Sequence, residues 1–189
     1  MSAVPLAFPF ADGPWAVDFP WMPWRPWVRV DKGERRARVL ADKHYTRQSP
    51  GHPMFTRPGY NFVLYTEVGD VRACFVWWRP KWEAGQERKD GLRCLECTIF
   101  RREGPRDAEP VASALVLAAV HALKMPVALD DLAGVVDPPD GLITGVGTEQ
   151  TRKRRSKRSL PGKCFREAGF VEFDHKKGRA DVWLKYGGT

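Results

Sequence analysis

Apolar and polar positions alternate through Trp27-Val28-Arg29-Val30, which predicts a short strand. Asp31 then suits a helix cap. Ala37, Val39 and Leu40 recur at helical spacing in a segment that starts at Gly33 or Glu34 and runs to Lys43. Residues 61–68 and 71–78 read as two strands, and Gly69-Asp70 between them supplies a two-residue turn, so the pair is a hairpin. A third strand covers 92–100. A helix begins near Pro110, with Ala112, Leu115, Val116, Ala119 and Leu123 at core spacing. Residues 142–146 make a short buried strand. Ser159-x-Pro161 opens a short helix that Gly169 stops, and 170–174 with 180–186 form a closing hairpin around Lys177-Gly178. The expected fold is α+β: one domain over 27–189 with a mixed central sheet of six to seven strands flanked by helices.

Two stretches fall outside this periodicity. Residues 1–26 interleave Trp15, Trp21 and Trp24 with six prolines, a composition that excludes a regular helix and predicts an extended segment packed on the core. Stacking of those rings on nucleobases is the alternative. Residues 46–60 are punctuated by Pro50, Gly51, Pro53, Pro58 and Gly59, and a loop of that length in a compact domain is a site candidate.

With 189 residues, 43% of them hydrophobic, the chain has material for a real core, which excludes a disordered tail protein. The net charge of +8 is concentrated: Arg152, Lys153, Arg154, Arg155, Lys157 and Arg158 carry six charges in seven residues and leave the remainder near neutral. Mutual repulsion disfavours a quiet structural face for this run, so it reads as a flexible loop that neutralises the phosphates of double-stranded DNA; the plain alternative is a solvated loop. Arg47, at the start of the Pro/Gly loop, joins it as a nucleic-acid-binding candidate. No apolar stretch is long enough to span a bilayer, and the N-terminus lacks the pattern of a signal peptide. Four cysteines are too few for a disulfide scaffold and fit a reducing cytoplasm. Cys94-x-x-Cys97 lacks a second ligand pair at zinc spacing, so both read as buried thiols.

The element order, with Arg101-Arg102-Glu103-Gly104-Pro105-Arg106 ahead of the central helix and Phe165-Arg166-Glu167-Ala168-Gly169-Phe170 near the end, resembles the GNAT acyltransferase fold. His44-Tyr45-Thr46, the loop after it and the segment 161–170 are similar to the bacteriophage Mom-type DNA modification proteins within that superfamily. The resemblance implies an acyl-CoA whose pyrophosphate meets the N-terminus of the central helix, held by Arg101, Arg102, Gly104 and Ser113. It also implies a transferase that adds an acetamido-type group to the exocyclic amine of adenine in DNA and so blocks restriction, and it brings in a bound iron at His44. The GNAT pattern has a tyrosine as proton donor where this chain has Phe165, which points to Tyr45 or Cys164 as its substitute.

The candidate catalytic residues are therefore His44, Tyr45 and Glu96. A histidine beside a phenol suits proton transfer or metal ligation, against the plain reading of a helix-end histidine and a packed tyrosine. A carboxylate in mid-strand is costly unless paired or catalytic, and the alternative for Glu96 is an outward-facing, solvated side chain. Two other functions stay open: a catalytically inactive GNAT-fold DNA-binding module, and an acetyltransferase acting on a small amine.

Overall fold

The computed structural model describes residues 26–147, 160–174 and 182–187. The segment 1–25, the basic run and the Lys177-Gly178 turn lie outside the described residues. The elements are β1 (Val28–Val30), α1 (Arg35–Ala41), β2 (Tyr60–Val68), β3 (Val71–Arg79), β4 (Leu95–Glu103), α2 (Ala112–His121), α3 (Pro126–Asp131), β5 (Leu142–Val146), α4 (Lys163–Glu167), β6 (Phe170–Glu172) and β7 (Val182–Tyr186). The fold is α+β, with one mixed seven-stranded sheet in the order β1-β2-β3-β4-β5-β7-β6. Neighbours pair antiparallel except β4 and β5, which run parallel.

Alternation decides the hairpin. β2 and β3 register from Tyr60↔Arg79 to Val68↔Val71 around Gly69-Asp70. Phe62, Leu64, Phe75 and Trp77 face one cluster, Val63, Tyr65, Cys74 and Val76 the other, so both faces of the sheet are covered. Helix α1 packs on the second cluster through Ala37, Leu40 and Ala41. Its cap is Glu34, whose carboxylate accepts from the Arg36 amide, rather than Asp31; Asp31 instead pairs with Arg29.

Helix α2 lies on the first cluster through Leu115, Val116 and Ala119. Two indoles fix it: Trp27 Nε1 donates to the Leu115 carbonyl and Trp77 Nε1 to the Ala119 carbonyl, both at 2.9 Å. Trp27, next to the Pro/Trp-rich segment, is thus a core residue. Strand β4 starts at Leu95 rather than 92, because the chain before it is held by side chains: Asp90 accepts from the Leu92 amide and Asp140 from the Arg93 amide. No helix among the described residues is long and apolar enough to cross a membrane.

Candidate functional site

Strand β4 carries the irregularity that makes the site. Opposite β3 its register passes from Cys97↔Trp77 to Ile99↔Val76, so Thr98 is an extra residue, a bulge that bends the strand and increases its twist. Pairing with β5 stops at Cys97↔Thr144, just before the bulge. Tyr45 enters the resulting gap. Its hydroxyl donates to the Gly145 carbonyl and accepts from the Gly147 amide, each at 3.2 Å, which completes the free edge of β5 in place of a strand. The His44 ring stacks on Tyr45 at 4.4 Å between centroids, and its Nδ1 lies 2.8 Å from the Thr46 hydroxyl. That hydroxyl is also 3.4 Å from the Thr98 carbonyl oxygen, so the His-Tyr-Thr segment is pinned to the bulge.

Two hollows meet at Tyr45. One, of about 130 Å³, is bounded by Phe100, Val146, Cys164 and Phe165. The other is a cleft of about 630 Å³ that includes Trp78, Trp183, Arg57, Arg88 and Glu96. Glu96 is not the solvated side chain of the alternative reading: its side chain is 7% exposed, and each oxygen has its own guanidinium. Arg57 Nη1 donates to Oε1 at 3.0 Å, and Arg88 Nη1 donates to Oε2. Arg88 is held in turn by Asp90. Burial works against the Arg88 charge, yet Asp90 and Glu96 outweigh it and lift its pKa above the ordinary value. The guanidiniums of Arg57 and Arg88 also lie over the rings of Trp78 and Trp183, at 5.3 and 5.5 Å. Sequence reasoning missed Arg57, Arg88 and Asp90, although Arg57 stands in the Pro/Gly loop that it marked.

The remaining arginines are differently employed. Arg47, whose side chain is 9% exposed, donates to Asp42 and to the carbonyls of His52 and Met54, so it closes the loop instead of facing a phosphate. Arg102 donates to the carbonyls of Gly104, Pro105, Ala108 and Pro110 and fastens the turn between β4 and α2. Arg101 pairs with Glu103, which also holds Lys43. Gly104 has φ +121°, and a Cβ there would come 2.5 Å from the Asp70 carbonyl oxygen, so packing on the hairpin turn explains the glycine. Ser113 sits in the first turn of α2. Ahead of it the Glu109 carboxylate accepts from the Val111 amide and brings negative charge to that helix end. At this turn the Arg102 donors and the Val111 amide are engaged by the protein itself, whereas Arg101 Nε is buried with no hydrogen-bond partner among the described residues.

Comparison of the chain with profiles of protein families, with curated proteins and with solved structures finds no match.

Among the described residues no group of three or more His, Cys, Asp or Glu side chains could hold a metal, and His44 has its Nδ1 on the Thr46 hydroxyl. Cys94 and Cys97 are buried thiols in separate clusters. Burial pushes the Cys94 thiol up to about 12 and the Cys97 thiol well above its usual value, so neither is a thiolate at neutral pH. Phe165 packs edge-on against Phe100 and Phe170, a core role, while Tyr45 and Cys164 line the smaller hollow together with His44, Cys97, Thr98 and Thr144.

Proposed function

We propose that the protein is a GNAT-like transferase of the Mom kind, which attaches a small acyl-derived group to the exocyclic amine of a base in double-stranded DNA. The observation that carries this reading is the gap beyond Cys97 and Thr144, where the two parallel strands of the sheet part, with Tyr45 in it and Glu96 on the adjoining cleft. The sheet order around that gap supports the GNAT resemblance.

In such a transfer the amine nitrogen bonds to the acyl carbon while the bond to the leaving group breaks, and one amine proton must be removed. Glu96 is the acceptor for that proton, and Tyr45 is the donor to the leaving group in the role that Phe165 cannot fill. His44 orients the phenol by stacking on it. A base inside a duplex cannot reach the cleft, so the enzyme must extrude it. The basic run favours this partner: Gly147 lines the cleft, and Arg152 follows it by five positions in the sequence.

The test is mass spectrometry of nucleosides from the DNA of cells that express the protein. A nucleoside of new mass is expected, and it disappears with Tyr45→Phe and falls strongly with His44→Ala. Unchanged nucleosides in cells holding soluble, folded protein overturn the transferase and favour the inactive DNA-binding module.

A further inference from the structure

Arg57 differs from the other arginines around the site. Its side chain is 48% exposed, and among the described residues Nη1 on Glu96 is its sole hydrogen bond, so Nε and Nη2 remain as unused donors at the cleft. The acceptor beside them is equally well placed. Glu96 cannot turn, because Arg88, itself pinned by Asp90, holds Oε2. Oε1 takes one bond from Arg57 and keeps capacity for another, since a carboxylate oxygen accepts two. A donor and an acceptor are thereby fixed side by side, with the indole of Trp78 beneath the guanidinium.

The chemical complement of that pair is a planar group with an acceptor beside a donor in the same plane. A ring nitrogen next to an exocyclic amine, the amidine edge of an aminated base, has this pattern: the amine donates to Glu96 Oε1 and the ring nitrogen accepts from Arg57. We infer that Arg57 and Glu96 together read the amidine edge of the extruded base, with Arg57 as a specificity-determining residue. This rests on the DNA-base reading of the cleft. A base without the amine leaves the second acceptor position of Glu96 Oε1, which Arg57 bonds once, without a donor in a closed site, and the loss of that bond provides the discrimination.

The experiment compares three short duplexes of equal length and charge by fluorescence anisotropy. In the first, adenine stands opposite an abasic site, where extrusion is easy. In the second, unsubstituted purine, which differs by the amine alone, takes its place, and the third is fully paired. The wild-type chain binds the adenine duplex about tenfold more tightly than the purine duplex, the size expected for one hydrogen bond to a charged group. Arg57→Lys, which keeps the charge but loses the planar pair of donors, weakens binding of the adenine and purine duplexes alike by about tenfold, because both bases offer the ring nitrogen, while the affinity for the fully paired duplex changes less than about twofold. Because Arg57 is half exposed, the variant is expected to fold, which circular dichroism checks. Equal binding of adenine and purine by the wild type, or unchanged affinities for both duplexes in Arg57→Lys, overturns the inference and leaves the DNA reading standing. Failure to bind any duplex overturns both.

Discussion

Two arginine-rich corners flank strand β4, and they use the same side chain in opposite ways. At its C-terminal end Arg102 gives its donors to four backbone carbonyls of the turn leading into α2. At its N-terminal end Arg57 has one described bond, on the same carboxylate that Arg88 secures from the other side. At Arg102 the first corner is mechanically finished: charge is present, and its donors are taken. The second has capacity left. A guanidinium therefore marks a binding site only when its geometry leaves donors unused, and the formal charge of a segment says nothing about that.

Several perturbations would sharpen or break the contrast. The largest effect is expected from Glu96→Ala, which removes one of the two carboxylates around Arg88, 6% exposed, and leaves Asp90 as its remaining counter-charge. Breaking a buried pair from one side costs about 3–5 kcal/mol, to be read from chemical denaturation, and a loss below about 1 kcal/mol would show that Arg88 does not depend on Glu96. Gly104→Ala comes next, with a Cβ driven into the Asp70 carbonyl at positive φ; a cost of about 2 kcal/mol or more is expected. Gly51→Ala, also at positive φ but with open space around it, should cost about 1 kcal/mol. Arg102→Ala should cost about 1–3 kcal/mol and leave the salt dependence of DNA binding unchanged. Replacing Arg154, Arg155 and Lys157 should do the reverse, lowering the log-log salt slope by about one for each phosphate no longer neutralised, without altering the midpoint of unfolding.

The smallest effect is set by pH. Burial raises the Asp42 carboxyl, but the hydrogen bonds from Arg47 and the Gly51 amide outweigh it and hold its pKa below the usual value. A carboxyl depressed in the folded state contributes stability above its unfolded pKa and loses it as the pH falls through the folded value. The loop from Asp42 to Met54 should therefore exchange its amides faster below about pH 4, relative to the sheet, and Asp42→Asn should remove that pH dependence.

What was legible in the sequence follows the same division. The β2–β3 hairpin and β5 stand where alternation and turn residues place them, since period-two patterning and Gly69-Asp70 are local signals. The start of β4 was displaced by three residues because Leu92 and Arg93 have strand-like composition but are held by Asp90 and Asp140, one of them distant in sequence. Helix α3 went unread: six residues beginning at Pro126 are too few for periodicity to register. Glu96 could be singled out because a charge in mid-strand is anomalous. Its partners could not, for Arg57 and Arg88 lie in irregular segments and meet only in three dimensions. Arg47 and Arg102 misled for a related reason, as nothing local distinguishes a guanidinium that will fold back on carbonyls from one that will not.

The phenol of Tyr45 ends as an unusual kind of sheet residue, one oxygen standing in for the rungs that a neighbouring strand would supply to Gly145 and Gly147. The phenol proton makes the rung to Gly145, and the Gly147 amide makes the other with its own proton. Moving the phenol proton to another acceptor would therefore loosen Gly145 while leaving Gly147 bonded to the same oxygen, so the two rungs at the end of β5 can be broken separately.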